Sequence, residues 1–234
     1  MPTSLRLTVQ DLRERWLPHK QRLDSVRDSH PTSVRFHRAC SWLDPAERLG
    51  PGDDLDQMLI LQWTALNALY GQWNLDTHEP VPDRESWQVF LDRIVELDAS
   101  AHVVSLLKEN RGLVLKILGN GYLNRHFWHE PSGEYACKTG RGGRHKGKSW
   151  YAEECWGTIL EQVVERIYLL RCQLVHGAAT LRSRLNRTAL RDCTTMMRLL
   201  MPTILLVWIE RGADEDWGLL CYPPIDSKLA SRLR

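Results

Sequence analysis

The sequence predicts an all-α protein, built as a bundle of up-and-down helices. Three observations favour this class. Apolar residues recur at helical spacing along most of the chain, no run alternates as a half-buried strand would, and no internal repeat is present. At 234 residues with 43% hydrophobic content, the chain can bury a sizeable core. Long helices that each carry one apolar stripe pack most simply as a bundle.

Breakers and caps set the limits of the predicted elements. We expect helices over residues 8–28, 34–48, 54–73, 84–98, 101–118, 151–176 and 187–211. The run Leu49-Gly50-Pro51-Gly52 breaks the chain, and Asp53 or Asp54 can cap the helix that follows. Residues 130–149 show little periodicity, and we expect them to form one long basic loop.

The chain divides into three predicted regions. Residues 1–50 are expected to form an N-terminal helical extension packed on the core, residues 54–211 the bundle itself, and residues 212–234 a C-terminal tail. The apolar run 201–209 is far shorter than the roughly 20 residues that span a bilayer, so we expect no membrane segment. The six cysteines are scattered and no secretory segment opens the chain, which favours reduced thiols in a cytoplasmic protein.

Arg171 and His176, near the end of one predicted helix, are the most informative pair. Arg171 falls among the apolar positions of residues 160–174, and a buried arginine needs an anion, either a protein carboxylate or a partner's phosphate. Five positions correspond to roughly 140° of helical rotation, so the two side chains point apart. Two copies related by a twofold axis could bring them together in one cleft. Two structural interpretations stay open: a core ion pair for Arg171, and carbonyl capping before Gly177 for His176.

The segment around this pair resembles a known family. Residues 168–177, Tyr-Leu-Leu-Arg-Cys-Gln-Leu-Val-His-Gly, are similar to the Arg-x(4–6)-His signature of HEPN domains and to its context in the Apea-like HEPN branch. Upstream, residues 63–71, Trp-Thr-Ala-Leu-Asn-Ala-Leu-Tyr-Gly, resemble the early helix of that branch. The resemblance covers roughly residues 54 to 211. It implies a HEPN-like helical bundle.

Two positions depart from the family pattern. Cys172 follows the arginine, where many HEPN members carry Asn, Asp or His to orient the catalytic pair. Ala178 stands where HEPN toxins carry a tyrosine that a nucleotidyltransferase antitoxin modifies, which argues against that particular partnership.

The resemblance implies a metal-independent endoribonuclease that needs no cofactor. It would act as a homodimer with a composite Arg/His site, in a prokaryotic defence or toxin–antitoxin setting with an antitoxin or other partner protein. His176 would be the general base or acid at the ribose 2′-hydroxyl or the leaving oxygen. Arg171 would stabilise charge on the phosphoryl oxygens, and the product would carry a 2′,3′-cyclic phosphate. The alternative is a module of the same fold that binds RNA, a nucleotide or a protein without catalysis.

Clustered cations supply candidates for RNA binding. A net charge of +2 indicates that affinity for RNA must come from local clusters. We assign RNA contacts to Lys138, Arg141, Arg144, Lys146 and Lys148 in the predicted loop, and to Arg182 and Arg184 beyond His176. Trp128 and Trp150 flank the predicted loop and are the candidates for stacking on bases.

Two other motifs compete for the same segment. Residues 142–149 match the P-loop pattern Gly-x4-Gly-Lys-Ser, in which Lys148 would reach the outer phosphates of a nucleotide. The buried strand that should precede a P-loop is missing from residues 134–138, so this interpretation ranks below RNA binding. The ligand types of a zinc site occur at His126, His129, Cys137 and His145, but their spacing matches no common structural site, so we predict no metal.

Overall fold

The fold is known from a computed structural model that describes residues 7–50, 54–178, 180–182 and 186–224. The predicted all-α class is confirmed, since the described part holds long helices and one two-stranded hairpin. The helices are α1 (Val9–Val26), α2 (Pro31–Arg48), α3 (Leu55–Tyr70), α4 (Asp83–Leu97), α5 (His102–Glu109), α6 (Arg111–Leu118), α7 (Gly133–Ala152), α8 (Trp156–Val175) and α9 (Arg187–Glu210). The strands are β1 (Trp73–Asn74) and β2 (Glu79–Pro80).

Helix α9 lies at the centre of one continuous core. It packs against α1, α3, α4, α5 and α6, and its inward positions are filled by side chains such as Met196, Leu200 and Ile204, all fully buried. By length and apolar composition α9 could cross a membrane, but 61% of its most apolar window is buried inside the protein. That burial is what a core helix of a bundle requires.

Arg35, in α2, ties both ends of the described chain to the bundle. Its side chain has no exposed surface, and no carboxylate of the described residues forms an ion pair with it. The guanidinium instead donates hydrogen bonds to five main-chain carbonyls, those of Leu69, Gly71, Trp217, Gly218 and Leu219, at 2.5 to 3.2 Å. Burial lowers the pKa of Arg35 to about 10, so the group stays protonated at neutral pH. Carbonyl dipoles thus take the place of a counter-ion.

The long basic loop predicted for residues 130–149 is wrong, because most of this segment is helix α7. Ser132 caps the helix by accepting a hydrogen bond from the main-chain N–H of Tyr135 (3.1 Å). Glycine disfavours a helix by about 1 kcal/mol relative to alanine, so a segment with five glycines predicts a loop from local propensity alone. Tertiary packing overrides that preference.

A face of small residues explains the glycines of α7. This face packs against the turn at residues 118–121 and consists of Ala136, Gly140, Gly143 and Gly147. A Cβ atom on Gly140 would lie 2.4 Å from the main-chain oxygen of Gly119, and one on Gly143 would lie 2.3 Å from that of Leu118. At Gly140 and Gly143 the two backbones approach too closely for any side chain. Four glycine or alanine positions therefore dock α7 onto the end of α6.

Two alanine substitutions in α7 should shift stability in opposite directions. We expect Gly140→Ala to lower the free energy of unfolding by about 1–3 kcal/mol, because the methyl group collides with backbone. Gly142→Ala is the matched control, since a Cβ there meets no atom within 4 Å. It should raise the free energy of unfolding by about 0.5–1 kcal/mol through helix propensity. Urea denaturation of both variants measures the difference, and equal effects would contradict the packing described.

Two other predicted boundaries differ from the structure. The helix expected over 101–118 is two helices, α5 and α6, which meet at Asn110 (φ −104°, ψ 23°). The helix expected to begin at residue 151 is the end of α7 followed by α8, because Glu154 adopts a positive φ of 53° that interrupts the helix.

Candidate functional site

Arg171 lines an open cleft of about 760 Å³ between α3, α4 and α8. Its side chain is 24% exposed, and its Nη1 lies 3.8 Å from Oδ2 of Asp83, the first residue of α4. The anion expected beside this arginine is therefore a protein carboxylate. The ion pair is long, and it leaves the other guanidinium N–H groups available to a ligand. The arginine that α8 does bury is Arg166, which donates to the carbonyl of Leu123 at 2.8 Å.

Asp83 is held from its other side by Tyr70. The Tyr70 hydroxyl donates a hydrogen bond to Oδ1 of Asp83 at 2.5 Å. Burial raises the pKa of Tyr70 above its ordinary value, and the neighbouring Asp83 charge raises it further, so the phenol remains a proton donor at neutral pH. Tyr70, Asp83 and Arg171 thus form a chain of polar contacts along the cleft wall.

The two segments that carry the HEPN resemblance meet in this cleft. Thr64, Asn67 and Tyr70 come from residues 63–71, and Tyr168 and Arg171 come from α8. Sequence spacing alone could not place them together, because about 100 residues separate the segments; the packing of α8 against α3 does so.

Cys172, the departure from the family pattern, lies beside Tyr168. Burial raises the pKa of the Tyr168 hydroxyl to about 12, and a hydrogen bond with the Cys172 side chain adds to the shift. Cys172 therefore has a polar partner within its own helix. A thiol is a weak hydrogen-bond donor and acceptor compared with Asn or Asp, so it orients a neighbouring cation less firmly.

His176 lies elsewhere, at the C-terminal end of α8. It is exposed, and within the described residues its ring forms no hydrogen bond or ion pair and does not line the Arg171 cleft. Three residues earlier, Gln173 Nε2 donates to the carbonyl of Tyr122 at 3.2 Å, so this face of α8 is turned towards the segment that follows α6. One chain therefore places Arg171 and His176 on different sides of α8, as their roughly 140° separation predicts.

The cations assigned to RNA binding in α7 are all exposed. Lys138, Arg141 and Lys148 share one side of the helix, since their spacing keeps them within about 80° of one another. Arg144 flanks that side, and Lys146 projects about 140° away from Arg141. The basic side is opposite the small-residue face, so docking of α7 leaves its charges on the surface.

The other two predicted RNA contacts, Arg182 and Arg184, lie beyond His176. The Arg182 Nε atom lies 3.1 Å from Asp54 Oδ2, and its main-chain N–H donates to Asp56. Arg187, at the start of α9, is also paired with Asp56 at 2.7 Å. Carboxylates at the start of α3 therefore offset the positive charges of Arg182 and Arg187. Arg184 lies outside the described residues.

Sequence reasoning missed two further cations. Lys116 of α6 and Arg191 of α9 join Arg141 and Arg144 around a shallow groove of about 880 Å³, called here the basic groove. Three helices contribute its charges, so no local cluster in the sequence could indicate it. Trp150, a predicted stacking residue, is half-buried against the core, whereas Trp128 is 47% exposed.

The competing motifs lack the geometry they need. Residues 142–149 lie inside α7, so their main-chain N–H groups are engaged in helical hydrogen bonds and cannot wrap around phosphates as a P-loop does. The rings of His126 and His129 are 6.3 Å apart, and no group of three or more metal-ligating side chains occurs among the residues described.

Comparisons of the chain with protein-family models, with curated proteins and with solved structures found no match. The relation to HEPN domains therefore stays a prediction from residues 63–71 and 168–177.

Proposed function

We propose that this protein is a metal-independent endoribonuclease of the HEPN type that acts as a homodimer. The observation that carries the proposal is the state of its two key residues. Arg171 reaches an open cleft and has guanidinium N–H groups that its ion pair with Asp83 does not use. His176 lies at the exposed end of the same helix, and its ring has no partner among the described residues. A cation and an acid–base group are the functional groups that transesterification of RNA needs.

The chemistry assigned to each residue follows from its surroundings. His176 takes the proton of the ribose 2′-hydroxyl or supplies one to the leaving 5′-oxygen. As the 2′-oxygen attacks phosphorus and the bond to the 5′-oxygen breaks, Arg171 stabilises the charge on the phosphoryl oxygens. Asp83 holds the guanidinium in the cleft. The products are a 2′,3′-cyclic phosphate and a free 5′-hydroxyl, and no residue in this scheme requires a cofactor.

A twofold dimer solves the problem that the two side chains diverge. An axis near the end of α8 brings the Arg171 of one subunit towards the His176 of the other. Exposed apolar side chains support an interface there, since Val175 is 54% exposed and Leu181 is 73% exposed. The setting that fits such an enzyme is prokaryotic defence or a toxin–antitoxin system in the cytoplasm, with a protein partner that controls it.

A non-catalytic module that binds RNA, a nucleotide or a protein is the second candidate. Two observations favour it. Arg171 is already paired with Asp83, and the thiol of Cys172 orients a neighbouring cation less firmly than Asn or Asp would. Both are compatible with a purely structural arginine.

Incubation of the purified protein with mixed RNA in EDTA separates the two candidates. We expect cleavage to persist in EDTA, with fragments that end in 2′,3′-cyclic phosphate and begin with a 5′-hydroxyl. Dephosphorylation and end-labelling of the fragments identify both groups. RNA that is retained by the protein but stays intact under all ionic conditions would favour the binding module.

A further inference from the structure

We infer that the basic groove binds single-stranded RNA and leads it to His176. The inference rests on the proposed function for the identity of the ligand. It adds the form of the substrate, the site that holds it and two residues, Lys116 and Arg191, that the sequence did not indicate.

The charge of the groove is the first argument. Lys116, Arg141, Arg144 and Arg191 line it and are all exposed, and none forms an ion pair with another described residue. Asp192 is the one acidic side chain in the described walls. By contrast, the exposed Arg93 is offset by two carboxylates, those of Glu96 and Glu215. Unpaired cations that converge on a concavity favour an anionic ligand.

The rigidity of the groove is the second argument. Helix α7 is fixed by its small-residue face, and the aliphatic stem of Arg144 lies beside Gly119, within 4 Å of where a Cβ atom would stand. Lys116 and Arg191 project from two other helices that belong to the core. The helices that carry the cations are therefore in place before the ligand arrives, which lowers the entropic cost of binding.

An aromatic platform distinguishes single strands from duplexes. Tyr122 lines the groove with 44% of its surface exposed, and its ring is held edge-on to Phe127 at 5.0 Å. Trp128 is fixed nearby by a hydrogen bond from its Nε1 to the Tyr122 carbonyl. Exposed rings stack on unpaired bases, whereas the base faces of a duplex are already covered by their neighbours.

The position of the platform connects the groove to the proposed catalytic residue. The Tyr122 carbonyl also accepts the hydrogen bond from Gln173 in α8. His176 follows Gln173 by three residues, about 60° away around the helix. A strand that leaves the groove past Tyr122 thus arrives at the end of α8.

Oligonucleotide binding in the His176→Ala background tests this path without turnover. Fluorescence anisotropy of a short oligouridylate should give a tighter complex than an RNA duplex of the same length. In the double variant Lys116→Gln/Arg191→Gln, the slope of log K against log salt should fall by about 1.4, roughly 0.7 for each phosphate that the variant no longer neutralises. Tyr122→Ser should weaken binding at least about fivefold, and Tyr122→Phe should retain it.

The matched control is Arg15→Gln/Lys20→Gln, which removes the same charge from exposed positions of α1 and should leave the affinity and the slope unchanged. The inference is overturned if a duplex binds as tightly as the single strand, if polyglutamate binds as tightly as RNA, or if the groove variants behave like the control. Cleavage by the parent together with unaffected groove variants refutes the path alone. Groove-dependent binding without cleavage by the parent refutes the nuclease alone and leaves the path standing.

Discussion

Replacement of His176 by alanine should lower EDTA-resistant RNA cleavage by a factor of about 10² to 10⁴, because a general acid–base group contributes that much to a proton-transfer step. Arg171→Ala should cost about 10² to 10³, the usual loss when one group that stabilises a developing oxyanion is removed. Single-turnover rates on a fluorescent single-stranded RNA measure both effects. Circular dichroism should show unchanged helix content, since neither side chain is fully buried.

His126→Ala is the control for the histidine, because it removes another exposed imidazole and should leave the rate unchanged. Arg171→Lys is the control for the arginine. It retains the charge but loses the planar fork, so an intermediate rate is expected. Full activity of either alanine variant in EDTA would remove that residue from the site.

A site composed of residues from two subunits predicts a further result for the same two variants. When the two inactive proteins are mixed and allowed to exchange subunits, heterodimers should regain part of the activity, because one of their two sites contains both intact residues. Light scattering should show a dimer at the assay concentration. A monomer with full specific activity would contradict the shared site.

Arg35→Met should lower the free energy of unfolding by about 3–5 kcal/mol, the largest stability effect expected of any single substitution considered. The methionine has similar length, but it leaves five main-chain carbonyls without the hydrogen bonds that Arg35 donates. Such a loss is a large share of the roughly 5–15 kcal/mol that stabilises a typical domain. Urea denaturation should show an earlier midpoint.

Arg38→Met is the matched control, one helical turn further along α2. Arg38 donates to the carbonyls of Cys221 and Tyr222 but is only partly buried, so water can replace its hydrogen bonds. We expect a loss of about 1 kcal/mol or less. Equal destabilisation by the two substitutions would show that burial of Arg35 is not what makes it important.

The helical class and most helix limits could be predicted from the sequence, because apolar periodicity and caps such as Asp54 are local signals. Helix α7 could not, since its glycines oppose a helix locally and are required only by the contact with residues 118–121. The hairpin of β1 and β2 was also missed. Each strand has two residues, too few to show an alternating pattern.

The candidate site also contains residues that the sequence could indicate and residues that it could not. Arg171 and His176 stood out because a charge on an apolar stripe is a local anomaly, and their divergence followed from helix geometry. Asp83 and Tyr70 gave no such signal, because an acid at a helix start and an aromatic residue in a buried helix are both ordinary. The basic groove could not be predicted from the sequence for a different reason. Lys116 and Arg191 are 75 positions apart, and only the fold makes them neighbours.

The hydrogen bonds of Arg35 also govern when the cleft can exist during synthesis. Three of its five acceptors belong to residues 217–219, and the cleft around Arg171 takes part of its wall from residues 220–222. These partners are translated more than 180 residues after Arg35. A growing chain that has passed His176 but has not yet reached residue 222 contains both proposed catalytic side chains, yet it lacks one wall of the cleft. Completion of the cleft is therefore delayed until residue 222 has been translated, so a chain that stops before this residue carries an incomplete site.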